Sequence, residues 1–191
     1  LEARHRDKLQ YADVDGNVLF DLLVGLNLAQ MVGAGIEKYY DFRGIQLLQI
    51  AAMIQGISVE IPTGQGKTST TAALSLVKSL SRHAWIHMEP SHEKLEENLY
   101  TGSAEIGLYA MFGVRAKAFN RNVMDERGIR ETFKREGDRP LVVYGTAEDV
   151  FFEALDDERN NPLGPEGLIL PEKYGTTVDE IDGIFMVATR Y

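Results

Sequence analysis

The sequence predicts an α/β domain: a parallel sheet with helices on both faces, preceded by a helical segment. Three observations carry that prediction. A glycine-rich turn ending in Lys67-Thr68 sits between an extended apolar run (57–61) and a helix-compatible run (69–77). After it, strand-like and helix-like stretches alternate, the pattern of strands joined by helical crossovers. Apolar residues make up 44% of the 191, enough for a sizeable core. The length fits one domain, or one domain with a helical appendage, and we divide it into a helical segment (1–41) and a nucleotide-binding domain (42–191).

The elements follow in order. Residues 1–16 are charged and end in the turn-like Asp13-Val14-Asp15-Gly16, without the further ligands of a calcium loop. Over 17–38, Val18, Leu19, Leu22, Leu23, Leu26, Leu28, Met31 and Val32 recur at helical spacing. Gly33 and Gly35 interrupt it as a helix end or a close packing point, and lack the third glycine of a dinucleotide fingerprint. Asp21, Asn27 and Gln30 make this a buried amphipathic helix, not a membrane span. A helix over 46–55 leads into the strand before the glycine turn. Residues 84–88 read as a strand, and Ser91 as the cap of a helix over 92–112. A strand over 114–119, a helix over 125–135, a strand over 141–144 and a helix over 147–155 follow. The last strand is either 174–178, which is poor in apolar residues for a central strand, or 181–187.

Composition narrows the function. The net charge is −9 and the pI is near 5.0, with basic residues scattered. No basic stripe offers itself to a nucleic-acid backbone. The acidic runs 93–97 and 149–158 read as solvated helix faces. The absence of cysteine excludes disulfides, thiol nucleophiles and cysteine zinc sites, and suits a reducing compartment. No signal peptide is visible, and a chain beginning at Leu1 is expected to be trimmed from a longer parent. His83, His87 and His92 do not match zinc-ligand spacing and are assigned packing or surface roles. His92-Glu93 opens a zinc-protease string, but Glu96 stands where the second histidine belongs.

The chemistry centres on Thr63-Gly64-Gln65-Gly66-Lys67-Thr68. Glycines let backbone N–H groups turn inward around a β-phosphate. Lys67 reaches the β/γ-phosphates, and the Thr68 hydroxyl ligates Mg²⁺. The following helix presents its N-terminus to the anion. The strict phosphate-loop pattern begins with glycine, where this chain has Ile61. Gln46, about twenty residues earlier, carries both a donor and an acceptor for adenine. Mg²⁺ is usually held by one or two carboxylates besides the phosphates, and hydrolysis needs a group to orient water. In Val178-Asp179-Glu180-Ile181-Asp182, Asp179 takes the first role and Glu180 the second.

In order and spacing these residues resemble the first nucleotide-binding half of SecA, the ATPase motor of bacterial protein export, from about residue 22 to 190. Gln46, the loop 62–68, Tyr144-Gly145-Thr146 with the acidic helix after it, and Asp179-Glu180-Ile181-Asp182 each match a family box. The chain departs from the family at three places. Arg43 stands where an aromatic is usual before the glutamine. Glu89-Pro90-Ser91-His92 replaces Asn-Asp-Tyr-Leu. Val187-Ala188 replaces a second acidic pair. The resemblance implies a RecA-like P-loop NTPase fold, ATP or ADP with Mg²⁺ as cofactors, and a cytoplasmic protein working at the inner face of the membrane. It also implies the remainder of a longer SecA-like chain, an unfolded polypeptide client and a translocation channel as partners. The second half of such motors supplies the arginines that stabilise the transferred phosphoryl group, so this piece alone is expected to bind nucleotide and hydrolyse it poorly. Two other readings stay open: a nucleic-acid helicase sharing the same boxes, against which the acidic balance argues, and a nucleotide-binding interaction module without turnover.

Overall fold

The computed structural model describes residues 16–33, 42–62, 64–80, 84–100, 104–134, 139–160 and 174–179. Within them the chain forms α1 (Gly16–Gly33), α2 (Gly44–Ile54), α3 (Lys67–Ser79), β1 (Ala84–Glu89), α4 (His92–Tyr100) and α5 (Ala104–Met111). It continues with β2 (Arg115–Ala118), α6 (Glu126–Phe133), β3 (Leu141–Thr146), α7 (Ala147–Asn160) and β4 (Tyr174–Val178). The four strands form one parallel sheet in the order β2-β3-β1-β4.

Both faces of the sheet are covered, as the α/β prediction requires. Every residue of β3 is buried. Its alternate side chains enter two different cores, because successive strand residues point to opposite faces. Val142 and Tyr144 join Leu22 and Leu26 of α1, Ile50 and Ile54 of α2, Leu76 and Val77 of α3, Leu95 and Leu99 of α4, and Leu108 of α5. Leu141 and Val143 join Ile86 and Met88 of β1, Ile129 and Phe133 of α6, and Val150 of α7. The helix expected ahead of the domain therefore shares its core. Tyr109 fastens α5 to α3: its hydroxyl donates to the Ala72 carbonyl (3.1 Å) and lies 2.6 Å from the Tyr144 hydroxyl.

Local chemistry sets the element ends. The Asp125 carboxylate caps α6 by accepting from the Gly128 N–H at 2.7 Å. Ser91 Oγ accepts from the Lys94 N–H at 3.2 Å and caps α4, as the sequence predicts. Thr146 Oγ1 does the same for α7 through the Asp149 N–H.

Two expectations about the elements are corrected. Residues 57–61 form no strand, and no described strand pairs with them. Their side chains are one reason: Ile57 is 60% exposed, and Ser58 and Glu60 also face solvent. The helix expected over 92–112 is two helices, α4 and α5, on either side of Thr101-Gly102-Ser103. Of the two candidates for the last strand, 174–178 is one, while 181–187 lies outside the described residues, as does the turn at 13–15.

The acidic run of α7 is also not a solvated face. Asp149, Glu153 and Asp157, one turn apart, are buried, while Phe151 and Leu155 are exposed. Arg121 stands 3.6 Å from Glu153, pairs with Asp156 and lies over the Phe152 ring. Burial pushes the carboxyls of Asp149 and Glu153 up, and the neighbouring Asp157 adds to the rise at Glu153. A carboxyl raised in the folded state contributes stability below its unfolded value and loses it as pH rises through the folded value. Glu153→Gln should therefore stabilise the fold at pH 7 by about 0.5 kcal/mol. That advantage should vanish near pH 4, where the parent carboxyl is protonated. Urea unfolding of both proteins at the two pH values measures it, and an equal advantage at both would contradict this cause.

Candidate functional site

The glycine turn meets the helix at Gly66. Gly64 and Gly66 both adopt left-handed backbone, φ +79° and +76°, which glycine enters without a Cβ penalty. Gly66 is constrained a second way, since a Cβ there would lie 2.2 Å from Gln46 Nε2. The Gln65 N–H donates to the Pro62 carbonyl at 3.2 Å and the Thr70 N–H to the Gly66 carbonyl at 3.1 Å, so turn and helix run into one another. The Thr70 hydroxyl returns to the Gly66 carbonyl, and the Thr71 hydroxyl to those of Lys67 and Thr68.

Gln46 is built into this turn. Its Oε1 accepts from the Arg43 N–H at 2.8 Å, at the start of α2, and its Nε2 donates to the Gln65 carbonyl at 3.0 Å. One amide thus joins the head of α2 to the glycine loop. A second N–H and a second lone pair remain for another partner.

Lys67 and Asp179 are 112 residues apart in sequence, yet Lys67 Nζ stands 2.8 Å from Asp179 Oδ1. Asp179 follows β4 directly, and its N–H donates to the Met88 carbonyl of β1 at 2.9 Å. The Asp179 side chain is 4% exposed and that of Lys67 31%. Lys67 is the one cation against Oδ1 among the described residues, at the distance of a charge-assisted contact. A buried carboxylate whose partner is a movable lysine, together with the half-buried Thr68 on the loop, suits the all-oxygen coordination of Mg²⁺. Among the described residues no group of three His, Cys, Asp or Glu side chains could hold a metal alone. Two protein oxygens fit an ion that takes its other ligands from phosphate and water.

The structure thus brings together Gln46, Gly64, Gln65, Gly66, Lys67 and Asp179. Thr63 and Glu180 lie outside the described residues.

Sequence reasoning missed a second feature. Behind the loop, Ser75 of α3, His87 and Glu89 of β1 and Asn98 of α4 form a buried polar chain. Ser75 Oγ lies 2.9 Å from His87 Nδ1, and His87 Nε2 lies 3.3 Å from Glu89 Oε1 in a contact of charge without a hydrogen bond; Glu89 Oε1 accepts from Asn98 Nδ2 at 2.8 Å. The His87 ring stacks on Tyr144, with centroids 4.4 Å apart. Burial raises the Glu89 carboxyl, but His87, Asn98 and Lys94 outweigh it and hold it below its ordinary value. The period-2 spacing of His87 and Glu89 was the available signal, and it does not say which helix they face.

Among the described residues no helix is long and apolar enough to cross a membrane. No family model matches the sequence. Over 187 residues, 96% of its length, the chain is 26% identical to the protein translocase subunit SecA of Micrococcus luteus, and it spans 19% of that protein.

Proposed function

We propose that this chain is the ATP-binding motor domain of a SecA-like protein translocase, in which ATP hydrolysis is coupled to movement of an unfolded polypeptide. One observation supports the reading most: the 2.8 Å approach of Lys67 to Asp179, beside a loop that Gln46 holds. A phosphate-binding lysine and a Mg²⁺-holding carboxylate must meet across such a site. The 26% identity to a SecA protein over nearly the whole chain supports it too.

In this reading the N–H groups of the glycine loop and the N-terminus of α3 receive the phosphates. Lys67 turns from Asp179 to the β/γ-phosphates. Thr68 and Asp179 hold Mg²⁺, which when bound neutralises phosphate charge. Glu180 orients the attacking water, and Gln46 serves the adenine side. The nucleotide-binding domain spans 42–191, and α1 of the segment before it packs into the same core. The arginines that stabilise the transferred phosphoryl come from another domain of a longer chain, so this piece turns over slowly. The protein works in the cytoplasm at the inner face of the membrane, with a translocation channel as partner.

The test is thermal unfolding with and without Mg²⁺–ADP. At a hundred times its Kd a ligand stabilises the folded state by about 2.7 kcal/mol. For a chain of this size that raises Tm by roughly 5–10 °C. No rise would overturn nucleotide binding. Tight capture of single-stranded RNA on a filter at low salt would replace the translocase reading with the helicase one.

A further inference from the structure

The Ser75–His87–Glu89–Asn98 chain has the residue types of a serine hydrolase but not the access. Ser75 and His87 are fully buried and Glu89 is 1% exposed, so no substrate reaches the hydroxyl. A buried ionic group also costs desolvation that apolar residues of similar volume would avoid. What distinguishes the chain is where it is tied. Ser75 lies eight residues after Lys67 on the same helix, about 12 Å along its axis. His87 and Glu89 flank Met88, whose carbonyl holds the Asp179 N–H. The far end, Asn98, is on α4, which follows β1 through a short turn. Ser75 Oγ and His87 Nδ1 share one hydrogen bond, whose donor is set by the imidazole tautomer.

We propose that Ser75, His87, Glu89 and Asn98 form a positioning relay, which fixes the depth and rotation of α3 against β1 and thereby sets Lys67 opposite Asp179. The proposal rests on the nucleotide reading above. Two cross-links converge on adjacent residues of β1: one from the phosphate-loop helix, through Ser75 to His87, and one from Asp179 to Met88. Packing alone leaves a helix free to slide on an apolar strand by fractions of an ångström. A directional hydrogen bond between Ser75 and a ring clamped between Tyr144 and Glu89 removes that freedom.

A double-mutant cycle on this chain, read by fluorescent N-methylanthraniloyl-ADP in Mg²⁺, tests it. Ser75→Ala keeps a good helix former, and should weaken binding about fivefold. In an Asp179→Asn background, where the alignment no longer matters, Ser75→Ala should have little further effect. Asn98→Ala, at the other end of the relay, should repeat the pattern. Equal weakening in both backgrounds would mean that Ser75 acts through general packing, and no weakening in either would mean that it does not act at all; both results overturn the relay. If the parent chain fails to bind the probe, the nucleotide reading falls and the relay with it. If the parent binds and the cycle shows no coupling, the relay alone falls.

Discussion

Lys67→Ala is expected to abolish the rise in Tm produced by Mg²⁺–ADP, a loss of roughly 5–10 °C of ligand-dependent shift. The same change should also lower the stability of the nucleotide-free protein. Asp179 is buried and Lys67 is the cation beside it, so alanine leaves a carboxylate without that partner. Breaking a fully buried pair costs 3–5 kcal/mol, but Lys67 is about a third exposed and water screens part of the loss, so about 1 kcal/mol is the better figure. The two effects separate on adding Asp179→Asn. A neutral amide needs no cation, so the double variant should recover the nucleotide-free Tm while remaining unresponsive to nucleotide. A nucleotide shift that survives Lys67→Ala unchanged would disprove the phosphate-loop assignment.

Gly175→Ala should be the most damaging single methyl in the described part of the sheet. Gly175 sits on β4 opposite Trp85 of β1. A Cβ at Gly175 would come within 1.9 Å of Trp85 Cζ3 and 2.5 Å of two further ring carbons. The ring cannot swing aside cheaply, because its Nε1 donates to Thr177 Oγ1 at 2.8 Å, two residues along the same strand. Overpacking of this kind costs 1–3 kcal/mol, and a hydrogen-bonded ring places it at about 3. That predicts a fall in Tm of roughly 6–12 °C. Trp85 is the one tryptophan of the sequence, so its emission reports the displacement directly. In a Trp85→Leu background the same glycine substitution should be nearly neutral. An unchanged Tm and emission would mean that β4 does not pack on β1 through this contact. Because β4 carries Asp179, the nucleotide response should weaken alongside stability.

The sequence revealed much of this architecture, and the exceptions have physical causes. Residues 141–144 were legible because a strand buried on both faces reads as a continuous apolar run. Ser91 was legible as a cap because capping is local chemistry. The run 57–61 misled because its apolar residues satisfy strand propensity, while pairing depends on a neighbour that propensity cannot supply. Helix α7 misled for a related reason. Its acids and its aromatics both recur at helical spacing, and only the packed neighbours decide which stripe turns inward. In the site, Lys67 and Asp179 were recognisable by residue type and order. The hold of Gln46 on the Gln65 carbonyl, and the polar chain behind α3, needed the fold to bring their partners together.

The amide of Gln46 and the pair Lys67–Asp179 close chain rings of very different size. The first spans 19 residues, the second 112. Loop-closure entropy grows as three-halves RT times the logarithm of ring length, so the larger ring is harder to close by about 1.6 kcal/mol. The glycine loop thus acquires its shape from a neighbour close by in the chain. The carboxylate reaches it only when β4 docks on β1. Half of the site is a local property of the polypeptide, and the other half is a property of the finished sheet.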